Sequence, residues 1–172
     1  TSDTYDPNDN NPCVPNEVFE IPIFSDTYLN ESFPDVNYGN VDSLILKSEP
    51  GFEKRILFKI DMAMLPPNVP VEALEGSVSF LNFLAEIPNG TVPEISFHRM
   101  LQPWDQGTGS PNGDQVSWNS AGNGVSWQPG GNYDPNPIIT GYIYQSGYNE
   151  IDITPVFQEA AMNPNNFGFM IK

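Results

Sequence analysis

The chain has 172 residues, with six lysines and arginines against 22 aspartates and glutamates, for a net charge of −16. That balance leaves few cations to replace phosphate counterions, which excludes nucleic acid as a partner. No apolar run approaches the roughly 20 residues of a spanning helix, so no membrane insertion is expected. At 38% hydrophobic residues the chain can build a core, but with 16% charged residues, 18 prolines and 14 glycines it must cover itself with neutral polar groups and many turns.

Residues 1–16 are rich in Asp, Asn and Pro and have no periodicity, so they read as an arm that orders only where a surface holds it. The chain opens at Thr1 without a methionine or an apolar leader, as expected of a processed, secreted chain or an excised piece. Two N-x-S/T triplets, at Asn30 and Asn89, point weakly the same way. Cys13 is the single cysteine, so no internal disulfide forms; it is either bonded to another chain or inert.

Residues 18–24 alternate as a strand, and Pro22 makes it an edge strand. The expected division is an arm with a donor or edge strand over 1–24 and a β-sandwich over 25–172. Further strands are expected at 43–47 and at 55–61, where Ile56, Phe58 and Ile60 share a face. A long strand follows over 74–84, with Val78 and Phe80 on one side, and another over 94–100, where Ile95 and Phe97 alternate with Ser96 and His98. Residues 104–136 read as a long Gly/Asn/Ser/Trp loop. Strands return at 138–144 and 149–153. Thr154 then caps a helix of about 155–162, with Pro155 at its first position. A last strand spans 167–171. Short alternating strands, turn residues and one short helix make the fold all-β, a jelly-roll-like antiparallel β-sandwich.

The order of motifs resembles the DNRLRE domain family, which is disaggregatase-related and grouped with carbohydrate-binding modules. The resemblance covers residues 26–172. It runs through Asp26-Thr27-Tyr28, Asn37-Tyr38-Gly39, and Arg55 with the strand to Asp61 and Leu65-Pro66. It continues through Arg99 with Trp104-Asp105, Ser117-Trp118, Trp127-Gln128-Pro129-Gly130-Gly131, Asp152-Ile153-Thr154 and Asn166-Phe167-Gly168-Phe169. The helix lacks the family's tryptophan, and residues 1–24 have no counterpart in it. The resemblance implies a jelly-roll-like sandwich on secreted or cell-surface proteins, without catalytic residues.

The residues themselves also argue against an enzyme. His98 is the single histidine and has no nucleophile motif beside it; a structural role is expected. One Cys and one His cannot close a zinc site. Calcium takes six to eight oxygens, and Asp35, Asn37 and Asp42 in one turn, Asp134 in another and the acidic arm are the candidate donors, each with solvated turns as the plainer reading. Trp118 and Trp127 are expected in the core. Trp104 and Tyr133 are the candidates for a sugar-stacking face. Arg55 and Arg99, inside strands, are expected to pair with carboxylates.

The reading is a non-catalytic, extracellular or cell-surface structural subunit that assembles with copies of itself into a filament or surface layer, with calcium as a candidate cofactor. Its contact residues are Val18, Phe19, Ile21 and Ile23 of an added strand, with Cys13 in the arm. The alternative is a carbohydrate-binding module for an extracellular or cell-wall polysaccharide, acting through Trp104 and Tyr133.

Overall fold

A computed structural model describes residues 20–64, 79–109, 115–163 and 165–172. Among these the strands are β1 (Ile23–Asn30), β2 (Lys54–Ile60), β3 (Phe80–Ala85), β4 (Glu94–Arg99), β5 (Ser120–Gly122), β6 (Val125–Ser126), β7 (Ile139–Tyr142), β8 (Gly147–Asp152) and β9 (Phe169–Ile171). The helix α1 (Thr154–Met162) precedes β9. The main sheet has the order β1-β2-β9-β4-β7, with every neighbour antiparallel. β3 and β8 form a separate two-stranded ribbon, and β5 and β6 a small hairpin. The fold is all-β, a β-sandwich-like stack of antiparallel sheets with one short helix.

Both faces of the main sheet carry core, and strand periodicity decides which residue goes where. Phe58, Phe97, Ile95, Phe169 and Ile171 point to one face, where they meet Ile153, Val156 and Ala160 at α1 and the inward residues of the β3–β8 ribbon. Leu29, Leu57, Met100 and Met170 point to the other, where Trp104, Val116, Trp118, Ala121 and Trp127 lie over them. The described parts of the stretch, 104–109 and 115–136, therefore supply half of a core as well as a loop.

Several expectations change. Ile23 pairs with Ile60, so β1 begins within the 1–24 segment read as an arm with a donor or edge strand, and it runs on to Asn30; β1 is an edge strand, as Pro22 suggested. Residues 43–47 make no strand: Lys47 forms a single bridge with Lys54, and Leu46 packs on the core from irregular chain. In β3, Leu81 and Phe83 face inward and Phe80 is 48% exposed. Apolar residues stand at both parities of Phe80-Leu81-Asn82-Phe83-Leu84, so alternation alone cannot choose the face. Residue 78 and the cysteine at 13 lie outside the described residues.

Helix α1 starts one residue earlier than expected. Ile153 occupies the capping position and makes no side-chain cap bond. The Thr154 hydroxyl accepts instead from the Ser79 backbone N–H at 2.9 Å, fastening the start of the helix to the start of β3.

Candidate functional site

The loop over the main sheet is held by cations that stand on the sheet face itself. Cross-strand partners share a face, so Arg55 and Lys59 flank Leu57 and point toward the loop. The Arg55 guanidinium lies 4.8 Å from the Trp118 ring and 5.2 Å from the Tyr133 ring. It donates to Glu53 through Nε and Nη2, both at 2.9 Å, and to the Gly130 carbonyl through Nη1 at 2.6 Å. Lys59 sits 4.4 Å from the Trp104 ring centre and donates to the Trp104 carbonyl at 2.9 Å. Burial pushes its ammonium pKa down, while Asp105 opposes the shift. Lys172 donates to the Tyr133 hydroxyl at 3.2 Å.

The Trp-Gln-Pro-Gly-Gly segment is glycine-rich for a steric reason. Gly130 and Gly131 have φ of +86° and +98°, which favour glycine. A Cβ on Gly130 would come within 2.5 Å of Arg55 Nη1, and one on Gly131 within 2.7 Å of Met170 Cε. The close approach is what lets the Gly130 carbonyl reach Arg55.

His98 is 3% exposed, with Nδ1 at 2.8 Å from the Asp134 carbonyl oxygen and Nε2 at 2.8 Å from Ser96 Oγ. Burial holds its imidazole below the usual range; the Asp134 carbonyl opposes this, and Lys172 and Arg55 add to it. A histidine with a lowered folded pKa contributes stability that is full above the unfolded value of about 6.5 and is lost as pH falls through the folded value. Urea midpoints are therefore expected to fall between about pH 7 and about pH 5, and His98→Gln should lessen that slope. An equal slope in the variant would remove His98 from the account.

The other expected site residues separate. Ile21 is half-buried ahead of β1, and residues 13, 18 and 19 lie outside the described chain. Asp35 accepts from Asn119 at 3.0 Å, and Asp42 is exposed. Asn37 is 4% exposed and fully engaged: Nδ2 donates to the Gln106 and Val116 carbonyls, both at 2.7 Å, and Oδ1 accepts from the Gly39 and Gly109 N–H groups. Its oxygen is turned to those two donors rather than to an ion. Asp134 bridges to Arg99 at 3.3 Å; the Asn136 backbone N–H, then Arg99, hold its carboxyl below the usual range. No group of three His, Cys, Asp or Glu side chains suited to a metal occurs among the described residues.

Trp104 is 5% exposed, so neither face of its indole is open to a sugar in this arrangement. Tyr133 is half-buried against Arg55, His98 and the core. Trp118 and Trp127 are buried, and the Trp127 Nε1–H donates to the Ser117 and Trp118 carbonyls at 3.1 Å. Both strand arginines have carboxylate partners: Glu53 for Arg55, and Asp134 with Glu159 for Arg99.

Sequence reasoning missed the exposed aromatic pair on the same sheet face. Tyr142 and Tyr144 are 46% and 73% exposed, while Ile143 between them is 9% exposed and turned inward. Their ring centres lie 6.1 Å apart. The signal was the alternation Gly141-Tyr142-Ile143-Tyr144 at an edge strand, which places two tyrosines outward together. No protein-family model matches the chain, and no curated protein matches it at a significant level.

Proposed function

We propose that the chain is a non-catalytic, secreted structural subunit of an extracellular or cell-surface assembly, with copies joined when the N-terminal arm of one adds as a strand to a sheet edge of the next. The observation that carries this is the shortness of the second sheet. Among the described residues β3 pairs with β8 and with no other strand, and the inward Leu81, Phe83, Ala85 and Ile151 remain half-buried, whereas Phe58, Phe97 and Phe169 of the main sheet in the same cluster are buried. An alternating peptide laid along that ribbon would pair its backbone groups and complete the cover. Ile23 is already paired with Ile60 in β1, so the donated apolar side chains are those ahead of it, Val18, Phe19 and Ile21.

Charge sets the conditions. Each copy carries −16, so copies repel, and salt or calcium would favour assembly by screening. Calcium in this reading works between acidic surfaces. Negative-stain microscopy and sedimentation of the full chain, with calcium and with chelator, test the reading. Filaments or sheets are expected with calcium. Deleting residues 1–20, which spares β1, should abolish them and leave the melting temperature unchanged. A full chain that stays monomeric in every condition overturns the proposal.

The second reading, a carbohydrate-binding module, is favoured by the exposed tyrosine pair rather than by Trp104.

A further inference from the structure

Among the described residues, the loop that covers the main sheet leaves one end of that face open. β4 and β7 run antiparallel with Glu94 opposite Tyr142 and Ser96 opposite Thr140, all four side chains on the face that farther along carries His98 and Met100. Tyr133, edge-on to His98 at 5.2 Å, stands between the covered end and this open one. The same register continues one step, because Ile143 N–H donates to the Pro93 carbonyl at 3.0 Å; Val92, 54% exposed, thus lies opposite Tyr144.

The Tyr142 ring is held in place. Its hydroxyl donates to Glu94 Oε2 at 2.8 Å, which fixes the ring before any ligand arrives. The two tyrosine rings are inclined at 43°, so together they form a shallow aromatic trough along the sheet edge rather than a closed slot.

Charge narrows what fits. All six cations are engaged with a ring or a carboxylate within the chain: Lys47 with Glu49 and Phe52, Lys54 with Tyr28, Arg55, Lys59, Arg99 and Lys172 as above. A polyanion meets a carboxylate at Glu94 and a net charge of −16 behind it. A second copy brings no cation outside its own ring or carboxylate pairs to set against Glu94, and the assembly proposed above uses the β3–β8 ribbon instead. A basic peptide would find a single carboxylate, Glu94, among the otherwise neutral side chains of this face, Val92, Ser96, Thr140, Tyr142 and Tyr144. An uncharged chain with apolar C–H faces and many hydroxyls suits exposed rings flanked by a carboxylate and the exposed Thr140 hydroxyl.

We infer that Tyr142 and Tyr144 form a stacking platform for an uncharged polysaccharide, with Glu94 positioning Tyr142 and accepting from sugar hydroxyls. The inference rests on the carbohydrate-binding reading and names the ligand class and the residues. Affinity electrophoresis of the full chain through uncharged polysaccharides (a β-glucan, a mannan, a xylan) and through acidic ones (alginate, polygalacturonate) tests it, at low and high salt. Retardation is expected with at least one uncharged polymer, unaffected by salt, and with neither acidic one. Tyr142→Ala and Tyr144→Ala should each weaken it by roughly tenfold with unchanged melting temperature. Tyr148→Ala, an exposed tyrosine on the ribbon, should leave it unchanged.

Unaltered retardation in the double variant, while wild type binds, overturns the platform and leaves the carbohydrate reading standing. No retardation by any polysaccharide overturns both. Salt-sensitive binding to polylysine in place of the glycans would assign the face to a basic partner, and tyrosine-dependent dimers would assign it to a second copy; either result overturns the inference.

Discussion

Arg55→Ala is expected to lower the free energy of unfolding by about 3–5 kcal/mol, the range for breaking a buried, hydrogen-bonded charge pair. The residue is 9% exposed and ties three parts of the chain together. Its guanidinium binds Glu53 at both oxygens, reaches the Gly130 carbonyl, and lies between the Trp118 and Tyr133 rings. Alanine leaves the carbonyl without that donor and opens a void between two aromatic rings. Arg55→Lys should recover only part of the loss, since an ammonium cannot make the planar fork or lie flat against an indole. Urea unfolding of the three proteins measures this. A loss of under about 1 kcal/mol in Arg55→Ala would falsify the clasp.

Asn37→Asp separates a metal turn from a hydrogen-bond hub. Were residue 37 a calcium ligand, a carboxylate would bind the ion better and calcium would raise the variant's stability. The structure makes the opposite demand. Two backbone carbonyls, of Gln106 and Val116, receive protons from the Asn37 amide nitrogen, and a carboxylate would set oxygen against oxygen there. The loss is expected to be about 3 kcal/mol or more at neutral pH, with no recovery on adding calcium. Thermal melts of both proteins with calcium and with chelator decide it. Calcium-dependent stabilisation of the variant beyond wild type would sink the hub.

How much of this was legible depends on periodicity. β2 and β4 could be read because apolar residues occupy one parity, Ile56-Phe58-Ile60 and Ile95-Phe97, and the turns around them are sharp. That a second core lies over the other parity was harder to see. Leu57, Met100 and Met170 meet tryptophans from a glycine-rich loop with no period of its own, so its burial follows from tertiary contacts such as Arg55 to Gly130. The arginine pairings were anticipated in kind, although the Arg55 partner is Glu53, two residues away. Asn37 looked like a turn donor because its neighbours in sequence are acidic; its partners, Gln106, Val116 and Gly109, are some 70 residues distant. The tyrosine pair was visible as alternation, but which face of an edge strand stays open depends on where the covering loop stops.

The position of β9 bears on how the chain can be made. Residues 169–171 lie in the middle of the main sheet, with β2 on one side and β4 on the other. Until that segment leaves the ribosome, β1–β2 and β4–β7 have no strand to join them, and Leu57 and Phe97 lack their cross-strand neighbours Met170 and Ile171. The sheet therefore cannot grow in the order of synthesis; it closes only after the eight strands and the helix that precede β9 among the described residues have emerged. Such long-range closure is slow and leaves apolar edges open while it waits. Nascent chains released before residue 169 should be insoluble or bound by chaperones, however completely their earlier strands are encoded.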